Sequence, residues 1–344
     1  MKYFPVLAGF LLLSINSFSQ STGYPFIGER TLRFVDSSRD RPLVTEIWYP
    51  TTDTLKASDQ EYSPFIRNYT VRNGQLPSGR FPLIMISHGT GGSRFSLEWL
   101  AQSLVKRGFV VAAADHWGNT YDNKIPLQFF EIWQRPQDIS FVITKLLSNS
   151  DLSKVIDPHK IGAAGFSAVG YTVIALAGGV ADFDTALNYY RTVGKNEVNF
   201  PEYPNLGKML YDSTLINDSH HIPDLKDSRI KAFFAICPGT GPAFPRKAQF
   251  EKITGPVFII GCKSDSMAPA IQNARHYHSF IKGSGYYEFP GKTGHYVMLS
   301  EADDETKKAY PIYFTDPAGV NRHEVHAKVD SLANMFFTKS LKGH

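Results

Sequence analysis

Apolar positions along the chain fall into short unbroken runs, separated by stretches with helical spacing. Pro82–Ser87, Phe109–Ala114, Lys160–Ala164, Ile230–Ile236 and Val257–Gly261 read as strands buried on both faces, and Tyr286–Phe289 as a last strand. Thr31–Val35 and Val44–Tyr49 are two earlier strand candidates. Between the runs, Ser96–Arg107 places Leu97, Leu100, Leu104 and Val105 on one helical face. Pro136–Leu147, Ala168–Ala177, Ala268–Ile281 and Glu324–Leu341 read as further helices. Buried strands alternating with helices predict a mostly parallel sheet with helices on both faces, whose ligands bind beyond the carboxyl ends of the strands. Two segments break the alternation. Residues 50 to about 80 read as a polar loop. Residues 178–228 are long, polar and aromatic, with Tyr189, Tyr190, Phe200, Tyr203 and Tyr211. A structureless loop of that length does not suit a compact domain, so a partly helical cap is expected there, with a plain surface excursion as the alternative.

Composition adds bounds. The 344 residues are 42% hydrophobic and 20% charged, with a formal net charge of +4. The charges are mixed along the chain, which predicts neither a nucleic-acid footprint nor a membrane-surface one. At the N-terminus, Lys2, the apolar stretch Phe4 to Leu13 and the small residues Ser17-Phe18-Ser19 follow the pattern of a signal peptide over residues 1–19. Residues 20–344 then form one domain of an exported protein, periplasmic or secreted. No later stretch is long and apolar enough for a transmembrane helix. The two cysteines, Cys237 and Cys262, end neighbouring strands. They read as buried free thiols, although export permits a disulfide.

The chemistry collects at strand ends. In Gly165-Phe166-Ser167-Ala168-Val169-Gly170 a strand stops, turns at Ser167 and continues into an apolar helix. This is the context of a nucleophile elbow, in which a tight turn lifts the serine hydroxyl clear of the backbone. The usual second glycine, two after the serine, is Val169 here, and Gly170 follows one place later. The plainer reading is a serine capping a helix. His88-Gly89-Thr90-Gly91-Gly92 follows another buried strand and can bring the Thr90 N–H beside that of Ala168, giving two donors for an oxyanion. His88 itself reads as a structural histidine under this loop. Asp265 lies past the strand Val257–Gly261, and His295 follows the last strand in Gly291-Lys292-Thr293-Gly294-His295. The order Ser167, Asp265, His295 is that of the α/β-hydrolase fold. In that arrangement His295 is the general base and Asp265 orients it. Phe166, His116 and Trp117 are candidates for the substrate pocket. His220-His221 with Asp218 and Asp224 is a metal-binding or surface cluster. A serine triad requires no cofactor.

Several runs together carry a family likeness: Ile47-Trp48-Tyr49-Pro50, Ser87-His88-Gly89-Thr90-Gly91-Gly92, Ala114-Asp115-His116, Gly165-Phe166-Ser167, Ser228-Arg229-Ile230-Lys231-Ala232 and Gly294-His295. From about Gly28 onward the chain resembles predicted dienelactone-hydrolase-like proteins. That group is similar to secreted platelet-activating-factor acetylhydrolases and to bacterial polyester-cleaving hydrolases. The resemblance implies Ser167, Asp265 and His295 as a triad, Thr90 and Ala168 as oxyanion donors, and a small-molecule or lipid-like ester as substrate. In the acetylhydrolases the acid follows the preceding strand, where this chain has Pro238-Gly239-Thr240 and no carboxylate. Dienelactone hydrolases use a cysteine nucleophile, and this chain has a serine. Two other readings stay open: a non-catalytic binding protein on a hydrolase scaffold, and a serine amidase or peptidase. The sequence gives no oligomeric state.

Overall fold

Alternate residues of the central strands belong to opposite hydrophobic layers, and this is why those strands read as continuous apolar runs. Leu83, Met85, Val110 and Ala112 pack on one side, and Ile84, Ile86, Val111 and Ala113 on the other. The computed structural model describes residues 23–198, 200–211 and 222–343. The expected signal peptide lies outside them, as do Asp218, His220 and His221. The strands are β1 (Phe26–Asp36), β2 (Arg41–Thr51), β3 (Val71–Arg72), β4 (Phe81–Ser87), β5 (Val110–Ala114), β6 (Ile156–Phe166), β7 (Ile230–Ile236), β8 (Val257–Cys262) and β9 (Gly285–Phe289). They form a single sheet in the order β3-β1-β2-β5-β4-β6-β7-β8-β9. β2 runs antiparallel to both β1 and β5, and every pair from β5 to β9 is parallel.

The helices are α1 (Glu98–Lys106), α2 (Pro126–Phe130), α3 (Gln134–Ser148), α4 (Leu152–Val155), α5 (Gly170–Ala177), α6 (Phe183–Arg191), α7 (Leu206–Met209), α8 (Ala274–Phe280), α9 (Asp304–Ala309), α10 (Pro311–Phe314) and α11 (Arg322–Phe337). α1 and α11 cover one face of the sheet, while α3, α4, α5 and α8 cover the other. Every residue of α5 is buried, because this helix leaves the central strand β6 and packs against β6, β7 and α3. No helix of the described residues is long and apolar enough to cross a membrane.

The structure departs from the periodicity in three places. Residues 50–80, expected as a loop, hold a 3-10 turn at Ala57–Asp59 and the short strand β3, which pairs with Gly28 and Glu29 of β1. Two residues cannot show a period. The helix expected over 268–281 begins only at Ala274, because Asp265 draws the Met267 and Ala268 N–H groups into a turn and Gln272 and Asn273 pass tightly over Gly241. α9 and α10, absent from the periodic pattern, are fixed locally by Asp303, which caps Thr306, and by Pro311 at the first position. Cys237 and Cys262 are buried free thiols with their sulfurs 3.4 Å apart.

Phe337 closes the α1/α11 layer. It is fully buried, meets the rings of Phe109, Phe234 and Phe336, and occupies the space a side chain at Gly162 would need. Phe337→Ala is expected to lower the unfolding free energy by about 3–5 kcal/mol, read as a reduced urea midpoint with an unchanged slope.

Candidate active site

Parallel pairing brings the carboxyl ends of β4, β6, β7, β8 and β9 to one edge of the sheet. At the end of β6 the chain enters Ser167 with φ +69°, a left-handed conformation that costs energy for a serine and turns it out of line with the strand. One 3-10 turn, Ser167–Val169, then leads into α5. Three glycines let neighbouring backbone crowd this corner. A side chain at Gly89 would come within 3.3 Å of the Phe166 ring and of Ser167 Cβ. One at Gly170 would lie 2.3 Å from Cα and Cβ of Pro238. Gly239 donates its N–H to the Ser167 carbonyl at 2.9 Å. The close approach therefore falls at Gly170, one residue later than the common spacing, where the first turn of α5 packs on the loop after β7.

The loops after β8 and β9 deliver the partners. Lys263 N–H donates to the Phe289 carbonyl, and Ser264 N–H to that of Thr293, so the two loops are stitched together. Asp265 Oδ1 accepts the N–H groups of Met267 and Ala268, which leaves Oδ2 for His295 Nδ1 at 2.7 Å. His295 Nε2 in turn lies 2.7 Å from Ser167 Oγ. Asp265 and His295 are both buried, and the Phe166 ring backs the imidazole with centroids 4.7 Å apart. Behind the histidine loop, the Val297 carbonyl accepts from His326 of α11 and the Met298 carbonyl from Trp99 of α1. Those two rings stack at 3.9 Å, so both helices hold the loop in place.

The loop after β4 rests on a buried polar network. His88 pairs with the Gly89 carbonyl and receives the His116 N–H on its other nitrogen. Arg135 donates to the His88 carbonyl at 2.8 Å. His116 Nε2 meets Ser87 Oγ at 2.6 Å, and its Nδ1 meets Asp138 Oδ2 at 2.9 Å. Asp138 also takes two hydrogen bonds from Arg41. Burial lowers the His116 pKa to about 4 against the pull of Asp138, and it holds His88 well below the ordinary histidine range. Burial opposes ionisation of Asp138, but its bonds to His116 and Arg41 prevail and lower its pKa to about 2. His88 thus sits under the loop, as its sequence context implied. His116 corrects the expectation of a substrate contact. It is wholly buried and spent on Ser87 and Asp138, and neither it nor the half-exposed Trp117 lines the cavity.

Ser167 opens onto a cavity of about 830 Å³ whose wall includes Thr90, Phe166, Ala168 and His295. Ala168 is the second residue of the turn into α5, where a backbone N–H has no partner within the helix. Residues 178–228 reach the cavity through Tyr190, Glu197, Phe200, Pro201 and Glu202. The opposite wall was not anticipated. It comes from α9, α10 and the residue joining them, which supply Thr306, Tyr310, Ile312, Tyr313 and Phe314. The helix-start signal Asp303-Asp304-Glu305-Thr306 and the proline at 311 were the available clues. Among the described residues no group of histidines, cysteines and carboxylates is arranged to hold a metal ion.

A nine-stranded, mostly parallel sheet with a serine at such a turn is the α/β-hydrolase fold, and comparison with solved structures agrees. The ferulic acid esterase from Streptomyces cinnamoneus superposes with a TM-score of 0.60 at 18% identity, covering 92% of this chain and 91% of that one. Within the fold, residues 57–123 match the family model described as platelet-activating factor acetylhydrolase, isoform II. That stretch spans β4, the glycine loop, α1 and β5, and it supports the resemblance read from the sequence. No curated protein matches the chain in sequence.

Two outcomes follow from the supporting contacts. Gly170→Ala should force α5 away from Pro238, costing about 1–3 kcal/mol in urea unfolding and lowering reactivity of Ser167 toward a fluorophosphonate. For His116, the native pKa of about 4 lies below the ordinary 6.5. Between those values the unfolded chain binds more protons, so its contribution is full above pH 6.5 and is lost as pH falls toward 4. His116→Gln should therefore be destabilising at neutral pH, and its gap to the wild type in urea midpoint should narrow steadily on acidification through that window.

Proposed function

We propose that the protein is a serine carboxylic ester hydrolase that works through an acyl-enzyme. The observation that carries this reading is the hydrogen-bonded chain from Asp265 through His295 to Ser167, with the serine held at positive φ and facing a cavity. Ser167 Oγ attacks the ester carbonyl carbon while its proton passes to His295 Nε2. Asp265 Oδ2 accepts the Nδ1–H bond and stabilises the imidazolium. The N–H groups of Thr90 and Ala168 are assigned to the oxyanion. On collapse His295 gives its proton to the leaving alcohol oxygen. Water then attacks the acyl carbon, loses a proton to His295, and Ser167 leaves protonated.

An amidase or peptidase would use the same steps. The esterase names of the similar proteins favour the ester. The non-catalytic alternative rested on Val169, and the tight contact at Gly170 meets that objection by giving the helix its close approach one residue later. In this reading the leader pattern of residues 1–19 supports export of the enzyme, and residues 20–344 make one domain. Short-chain p-nitrophenyl esters should be hydrolysed, and Ser167→Ala should reduce kcat/KM by about three orders of magnitude or more. An unchanged rate in that variant, or a fluorophosphonate that fails to label Ser167 in the wild type, would remove the assignment. Faster turnover of matched amides would replace esterase by amidase.

A further inference from the structure

We infer that Arg322 is a positioning residue that sets the size of ester the site prefers, because it clamps the α9–α10 wall of the cavity to the histidine loop. The inference rests on the acyl-transfer reading above. α9 and α10 are six and four residues long, and neither contains a fully buried residue. Helices so short do not hold a position by themselves, and these two have no buried face to anchor them. Yet Tyr310, Ile312, Tyr313 and Phe314 form one flank of the cavity. Contacts other than deep apolar burial must fix that flank.

Two polar attachments do so. At the near end, Asp303 N–H donates to the Pro64 carbonyl at 2.9 Å, and Ile66 N–H to the Glu301 carbonyl at 2.8 Å, so the stretch before β3 holds the start of α9. Arg322 holds the far end. Asn321 caps α11 and makes Arg322 its first residue, and α11 packs on the sheet through Val325, Val329 and Phe337. The arginine is thus rooted in the core and is itself buried. All five N–H donors of its planar guanidinium are taken. Nη2 donates to the Tyr313 carbonyl at 2.8 Å and to Asp316 Oδ1 at 2.9 Å, and Nε donates to Asp316 Oδ2 at 3.0 Å. Nη1 donates to the carbonyls of Ser300 at 3.2 Å and Leu299 at 3.3 Å. Leu299 and Ser300 line the cavity in the loop that carries His295. One side chain therefore fixes the distance between the end of α10 and the histidine loop. A pocket discriminates by fit only while its walls keep their spacing. Lysine offers three donors from a single point and cannot bridge both sets of acceptors.

The test uses the full chain and two ester series: p-nitrophenyl esters from acetate to dodecanoate, and acetates of alcohols from ethanol to dodecanol, followed by proton release. In at least one series the wild type should favour its best ester over the shortest by about tenfold or more in kcat/KM. In Arg322→Met that ratio should fall to within about threefold of unity, carried by KM for the favoured ester rather than by kcat, and Arg322→Lys should fall partway. Asp316→Ala, which leaves the bonds to Leu299 and Ser300 in place, should shift the ratio in the same direction by less, and it carries the test if the Arg322 variants do not fold. Phe337→Ala, a change at the opposite end of α11, should leave the ratio as in the wild type. A ratio intact in Arg322→Met or in Asp316→Ala overturns the inference. So does an equal loss on short and favoured esters, or the same loss of ratio in Phe337→Ala, since either marks a general structural role. Wild-type hydrolysis without a length preference overturns it and leaves the esterase reading standing. A wild type that hydrolyses none of the esters and takes no fluorophosphonate at Ser167 removes the acyl-transfer reading, and the inference with it.

Discussion

The tight junction between β6 and α5 is the constraint on which the rest of the structure depends. Ser167 holds a left-handed backbone conformation that its own side chain disfavours. Surrounding packing must therefore impose it. Gly89 admits the loop after β4, Gly170 admits Pro238, and Gly239 anchors the Ser167 carbonyl. These contacts come from the ends of β4 and β7, the strands on either side of β6, so the turn can persist only when the parallel sheet is assembled. The central position of β6, between β4 and β7, follows from the same need.

Among the described residues there are two Ser–His–Asp arrangements with hydrogen-bonding distances that differ little. Ser87, His116 and Asp138 are wholly enclosed, and Asp138 is further held by Arg41. Ser167, His295 and Asp265 end at a cavity. Distance alone does not separate a supporting network from a candidate catalytic one. Access does, together with what occupies the remaining lone pairs. In the buried set the charge of Asp138 is shared with an arginine, and the serine lies within β4. In the open set Asp265 is steadied by two backbone N–H groups and the serine faces space. The buried set carries the loop that supplies Thr90, so the first arrangement positions a part of the second.

The two flanks of the cavity come from segments that lie outside the sheet. One is the polar, aromatic insertion after α5, which brings Glu197 and Glu202. The other is the pair of short helices α9 and α10 between the histidine loop and α11. The fold brings the candidate reacting groups to strand ends, while these connections shape the space a substrate would occupy. A sheet that any member of the fold could share is thereby given its own walls.

By itself the sequence determined the strand runs, the two-sided burial of the sheet and the order Ser167, Asp265, His295, because buried parallel strands and tight turns leave strong local patterns. It also marked the glycine loop from Gly89 as a place where backbone can enter the site, whereas Gly170 showed only as a glycine one place past the usual spacing. What it could not determine was direction and depth. His116 looked like a residue of the mouth because it follows a strand end, yet its ring faces Asp138 of α3, a partner 22 positions away. β3 was illegible because two residues have no period, and the late start of α8 followed from a contact with Gly241 far off in the chain. Local spacing encodes which face of an element is apolar. Which polar groups then meet, and which are left facing a cavity, is decided only when distant strand ends converge.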